Sequence, residues 1–156
     1  MEKRKALRLP EYCYNRNGAY FITICTKKRR QCLSRIVGAD AYIGPHAVLT
    51  KWGDVVERYI HTIPGIDTYV IMPNHVHMIV RIESEDGPMW ASAPTQSVSD
   101  RIRSFKTLVS KQIGHSIWQR SFYDHVIRNE EDYLHIWQYI DRNPAKWAED
   151  EYYYAE

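Results

Sequence analysis

The stretch Thr68-Tyr69-Val70-Ile71-Met72-Pro73-Asn74-His75-Val76-His77-Met78-Ile79-Val80-Arg81-Ile82 carries most of the fold in one reading. It is rich in β-branched and large apolar residues, and it reads as two strands, 68–72 and 75–82, parted only by Pro73-Asn74. The pair is either a tight hairpin or one bulged run. Side chains alternate across a strand, so Val76, Met78, Val80 and Ile82 share one face and belong to a core. His75 and His77 share the other face, about 7 Å apart at Cα by strand rise.

Outward from this hairpin, elements follow one another without a linker. Residues 19–26 (A-Y-F-I-T-I-C-T) form a buried strand, ended by Lys27-Lys28-Arg29-Arg30. Residues 31–47 are harder to read, with a short strand expected near 40–43. Trp52, Val55, Val56, Tyr59, Ile60 and Ile63 recur at helical spacing up to the stop Pro64-Gly65. Residues 83–96 form a Ser-, Gly- and Pro-containing loop. A second helix is capped by Ser97 or Ser99, buries Val98, Ile102, Phe105, Val109 and Ile113, and closes at Gly114. Its other side carries Arg101, Arg103, Lys106 and Lys111. Residues 118–127 are strand-like. A last helix starts at Asn129, with Glu130, Glu131 and Asp132 in the first turn and Pro144 at its far end. On this helix Leu134, Trp137 and Ile140 form an expected apolar stripe. Helices packed on one mostly antiparallel sheet make an α+β protein, a ferredoxin-like α/β sandwich. The expected division is a basic arm over 1–18, a single domain over 19–148 and a loosely packed acidic tail over 149–156.

Composition narrows the partners. The 156 residues are 44% hydrophobic and 26% charged, which fits one globular domain and excludes a disordered chain. No apolar run approaches the ~20 residues that span a bilayer, and the basic start lacks an apolar signal segment. The three cysteines, Cys13, Cys25 and Cys32, have neither paired nor zinc-finger spacing, so reduced thiols in the cytoplasm are expected. The net charge of +2 conceals ten Lys and Arg against two acids in the first 36 residues. A basic segment on a nearly neutral protein suits a polyanion, with a merely solvated edge as the alternative. Lys3, Arg4, Lys5 and Arg8 of the arm, Lys27, Lys28 and Arg29 after the first strand, and Arg101, Arg103 and Lys106 on the second helix are the candidate DNA contacts.

Two imidazoles on one strand face can converge on a divalent ion and leave positions open for phosphate oxygens. The alternative is a pair of surface histidines on a half-exposed strand. Tyr139 and Asn143, four residues apart, share a face of the last helix. A phenol attacks phosphorus only when its ionised form is favoured, because its ordinary pKa is ~10. Packing is the competing role for Tyr139, and a helix-end turn that for Asn143.

Taken in order, Pro73-Asn74-His75-Val76-His77 and Tyr139-Ile140-Asp141-Arg142-Asn143-Pro144 resemble the small HUH single-tyrosine transposases, most closely their REP-associated branch. Arg8-Leu9-Pro10-Glu11-Tyr12, residues 18–26, Phe105-Lys106 and residues 118–128 extend the resemblance over nearly the whole chain, from about Arg8 to Trp147. The resemblance implies that His75 and His77 are metal ligands, that Asn143 completes the site and that Tyr139 is the nucleophile. It implies Mg²⁺ or Mn²⁺ as cofactor and a DNA hairpin with adjoining single strand as substrate. One strand would be cleaved to a 5′-phosphotyrosine and a free 3′-OH, by a monomer acting in cis or, alternatively, a homodimer. A domesticated, non-catalytic hairpin-binding protein is the second reading. An unrelated metal hydrolase is the third; a histidine-triad enzyme would need a third alternating His where Ile79 stands.

Overall fold

The computed structural model describes residues 18–38, 44–83 and 96–153. The arm residues Lys3, Arg4, Lys5 and Arg8, the strand expected near 40–43 and most of the 83–96 loop lie outside them. Four strands, β1 (Gly18–Cys25), β4 (Ile66–Ile71), β5 (His75–Ile82) and β6 (Tyr123–Ile127), form one sheet in the order β4-β5-β1-β6. Every neighbouring pair is antiparallel. With α1 (Lys51–Ile60) between β1 and β4, and α2 (Val98–Ile113) between β5 and β6, the chain runs β-α-β-β-α-β. This is the ferredoxin-like α+β sandwich. Two short strands, β2 (Ser34–Val37) and β3 (His46–Leu49), pair as a separate hairpin ahead of α1. The sequence reading did not find these two strands, since four-residue strands are too short to show an alternation.

The stretch 68–82 is a hairpin, as one of its two readings has it. Its turn is closed by the Met72 N–H donating to the His75 carbonyl at 2.9 Å. Leu33 N–H donates to Pro73 O and Thr26 N–H to Asn74 O, both at 3.0 Å, which pins the turn between two other segments. Helix α1 stops at Ile60, short of the last periodic residue Ile63, because Pro64 disfavours helical geometry just before it. Ile63 is buried all the same. Gly65 makes the reversal with φ +81°, a conformation open to glycine.

The sheet is covered on both faces. Tyr20, Ile22, Ile24, Val76, Met78, Val80 and Ile82 meet Val56 and Ile60 of α1 and Val98, Ile102, Phe105 and Val109 of α2. On the opposite face Ala19 and Ile79 meet Ile136 and Ile140 of α3 (Glu130–Arg142). Every residue from 71 to 80 is therefore buried, and in β5 only Arg81, near its end, is exposed. The expected stripe on α3 is corrected: Leu134 and Trp137 are 50% and 40% exposed, and Ile136 takes their place beside Ile140. A 13-residue helix with apolar residues on several sides cannot show which of them finds the sheet. Replacing Val76 with Ala should cost about 1–3 kcal/mol, measured by urea denaturation, because a closely packed residue leaves a cavity.

Candidate functional site

The two histidines point into the layer between the sheet and α3. His75 is 0% and His77 1% exposed, so the half-exposed strand is excluded. Their rings meet edge to face with centroids 4.4 Å apart. Each is oriented through Nδ1. His75 Nδ1 lies 2.8 Å from Asn74 Oδ1, and His77 Nδ1 lies 2.8 Å from Thr23 Oγ1 on β1. The Asn74 amide is itself set, because its Nδ2 donates to Tyr152 O at 2.8 Å and to Arg29 O at 3.4 Å. Its Oδ1 must then accept, so His75 carries its proton on Nδ1 and offers the Nε2 lone pair. This is how metal-binding imidazoles are held.

Both Nε2 atoms are buried with no hydrogen-bond partner among the described residues, and so are Asn143 Oδ1 and Asp150 Oδ2. Four orphaned polar atoms within one small region are costly unless something satisfies them. Ligand atoms of His75, His77 and Asp150 all lie within 4.8 Å of one another, with His75 Nε2 to Asp150 Oδ2 at 3.8 Å. Asn143, the residue that ends α3, lies against His75, Tyr139 and Asp150. Two imidazole nitrogens and two oxygens form a mixed donor set that fits a divalent cation. Burial pushes His75 down to about 3; Asn143 beside it acts the other way, and the charge of Arg29 adds to the lowering. Burial, and then His75, keep His77 well below its ordinary value. Both rings are thus neutral, the state in which imidazole binds metal.

This burial has a consequence for stability without metal. Unfolded, His75 protonates near 6.5; folded, near 3. The unfolded chain therefore binds more protons in that window, and stability falls as pH drops from 6.5 towards 3. Above neutrality this group leaves stability flat. Denaturation midpoints across that range in a chelator should follow this course.

Tyr139 borders the same group. Its ring centroid is 5.3 Å from that of His77 and 6.1 Å, edge-on, from that of Phe21, yet the residue is 40% exposed. Burial raises its pKa, with the carboxylates of Asp150 and Glu151 adding to the rise and Asn143 opposing it. The phenol stays protonated until positive charge arrives. Beside it lies a cleft of about 410 Å³, lined among others by Arg142, Asn143, Lys146 and Asp150. Tyr133 is turned elsewhere, its hydroxyl donating to Asp67 at 2.7 Å under the Arg81 guanidinium.

The sequence reading missed Asp150 and Tyr152 and had the tail loosely packed; the tail closes over the histidines instead. The Tyr152 ring lies 4.5 Å from His75, and its N–H donates to Asp150 Oδ1 at 2.9 Å. No motif announces these two residues; a 78-residue hydrogen bond from Asn74 brings them in. Arg142 and Lys146, three residues beyond Tyr139 and Asn143 respectively, were also passed over.

The cationic candidates divide. Lys27, Lys28 and Arg29 form an exposed 3₁₀ turn at the end of β1, with Lys28 and Arg29 at φ +55° and +53°. The Arg29 guanidinium is 5.6 Å from the Tyr152 ring centroid, so this turn borders the histidines. Arg103 is exposed. Lys106 donates to Gln119 O at 2.7 Å. Arg101 is 8% exposed and donates to the carbonyls of Pro64 at 2.6 Å, Gln96 at 3.2 Å and Arg81 at 3.3 Å. Its guanidinium ties α2 to the loop after α1 and is not part of the basic surface expected of it.

No protein-family model matches the sequence. An uncharacterised protein of Haemophilus influenzae is 33% identical, over 96% of this chain and 93% of its own length. The REP-associated tyrosine transposase of Escherichia coli K12 is 28% identical, over 85% of this chain and 70% of its own. Among solved structures, a REP-associated tyrosine transposase bound to a REP hairpin shares the fold, with TM-score 0.62 and 24% identity, over 90% of this chain and 74% of that one. Shared ancestry along most of both chains, a common fold, and a histidine pair with a tyrosine against it lead to one assignment. The chain is related over most of its length to the REP-associated tyrosine transposases and shares their fold.

Proposed function

We propose that this protein is a metal-dependent single-stranded DNA endonuclease and strand transferase that acts beside a DNA hairpin of the REP kind, with Tyr139 as nucleophile. The observation that carries the reading is the gathering of four unsatisfied, buried polar atoms, on His75, His77, Asn143 and Asp150, next to a half-exposed tyrosine. A pure binder has no use for such a group. Mg²⁺ or Mn²⁺ held there would polarise the scissile phosphate and favour ionisation of the nearby phenol. The two nitrogen donors favour Mn²⁺ at least as much as Mg²⁺.

The protein's own part is positioning. Thr23 and Asn74 aim the two imidazoles. Ring contacts of Tyr139 with Phe21 and His77 keep its phenol beside the imidazole pair. Arg142 and Lys146 line the cleft into which the scissile strand fits. In the reaction the Tyr139 oxygen loses its proton and bonds to phosphorus. The bond from phosphorus to the 3′ oxygen breaks, and that oxygen leaves as a hydroxyl once protonated. The ester conserves the energy of the broken linkage, so the reverse attack by another 3′-OH joins strands without ATP. Because His77 and Tyr139 of one chain already touch, the geometry supports a monomer acting in cis. Among the described residues no helix is long and apolar enough to cross a membrane, and we place the activity in the cytoplasm, where its substrate is.

The test is covalent trapping. The full chain is mixed with an end-labelled oligonucleotide carrying a hairpin and a single-stranded flank, with Mg²⁺, with Mn²⁺ or with chelator, and resolved on a denaturing gel. A metal-dependent labelled protein band is the expected result. Tight hairpin binding with no band under any ion would leave a non-catalytic hairpin-binding protein.

A further inference from the structure

Away from the histidine site, α2 turns a polar side outward. There α2 and the segment 114–122 enclose a cleft of about 650 Å³. Its lining runs from Ser99 to Gly114, a length of about 22 Å at the rise of a helix. Arg103, Lys111, His115 and Arg120 stand exposed on its walls, and no carboxylate lines it. On the exposed rim the Asp100 carboxylate lies 3.9 Å from Arg103. The width is held by Lys106, whose Nζ donates across the floor to Gln119 O at 2.7 Å. The floor also holds Trp118, 2% exposed, whose indole N–H has no acceptor among the described residues. A buried donor without a partner marks a place for an acceptor from outside.

The position of the cleft adds a direction. Segment 117–119 is stitched to the end of β1: Lys27 N–H donates to Ile117 O at 2.8 Å and Gln119 N–H to Cys25 O at 2.9 Å. Cys25 is the register partner of His75. One wall of the cleft therefore adjoins the basic turn Lys27–Arg29, at the same end of the strands as the histidines, although α2 itself packs on the opposite face.

We propose that this cleft is a second DNA seat, one that holds the backbone of the single strand flanking the hairpin and leads it past Lys27 towards Tyr139. The inference rests on the nicking reading above for its direction, and on the cleft alone for its ligand. A single strand suits it better than a duplex: the walls are concave, cations are spaced along their length, and aromatic rings lie below. This combination tracks backbones in single-strand sites, and about 22 Å corresponds to the low end of the ~4–16 nucleotides such folds cover.

The experiment uses the full chain, chelator throughout, and fluorescence anisotropy across a salt series. The probes are a labelled twelve-residue oligothymidylate and a labelled blunt hairpin. The variant is R103A/K111A/R120A, three exposed side chains whose loss spares the Lys106 tie. Each single-strand phosphate contact contributes about 0.7 to the logarithmic salt slope, so the slope on oligothymidylate should flatten by about 2. The slope on the blunt hairpin should hardly move. An unchanged slope on oligothymidylate overturns the proposal, and an equal flattening on the blunt hairpin overturns it in favour of a duplex seat. Because no metal is present, the result is independent of nicking. A flattened slope in a protein that never forms the covalent band keeps the cleft and removes only the nicking reading.

Discussion

Tyr139→Phe is expected to leave no covalent DNA adduct and no nicked product, while hairpin affinity stays within about threefold, or ~0.7 kcal/mol. The substitution removes one oxygen and keeps the ring. Contacts of that ring with His77 and Phe21 therefore survive, and the fold with them. The hydroxyl is the atom the reaction consumes, and phenylalanine has none. Tyr133 is committed to Asp67 under Arg81. Tyr152 also lies here, 4.5 Å from His75 but only partly exposed; Tyr123, 47% exposed and paired in register with Thr23, is the more accessible phenol on this side of the sheet. Tyr123→Phe is therefore the natural control. If the adduct persists in the Tyr139 variant and disappears in the Tyr123 variant, the nucleophile has been misassigned.

His77→Ala should abolish metal-dependent cleavage, and Asp150→Asn should weaken metal binding by about 10–100-fold, the size of effect seen when a supporting or outer ligand is altered. The two differ for a structural reason. His77 is buried on the strand, with Thr23 fixing its ring, and no other side chain can reach its position. Asp150 arrives on the tail, and asparagine keeps one oxygen there while losing the charge. Mn²⁺ titration by calorimetry, read beside the trapping gel, separates the two effects. An Asp150→Asn protein with unaltered Mn²⁺ affinity would show that the carboxylate merely closes the site and does not hold the ion. Loss of the thermal transition in His77→Ala would mean cavity collapse; His77→Gln, closer in volume, then carries the comparison.

The sequence by itself determined which residues share a surface. Alternation on β5 put Val76, Met78, Val80 and Ile82 in the core and both histidines on the other side, because a strand repeats every two residues whatever it packs against. Four-residue spacing put Asn143 one turn beyond Tyr139 for the same kind of local reason. Asn129 and Ser97 cap their helices as their positions suggest, accepting from Asp132 N–H and Asp100 N–H. Resemblance of short motifs supplied the candidate roles. Only the tertiary structure decided that α3 lies on the face opposite α1 and α2, and so turned a seemingly half-open strand into one covered on both faces. It chose Ile136 over Leu134 and Trp137, and it spent Arg101 on three carbonyls. It also brought Asp150 and Tyr152 onto the histidines through Asn74. Periodicity records the geometry of a single element. Which elements meet depends on burial and on hydrogen bonds between residues far apart in the chain, and no local pattern carries that.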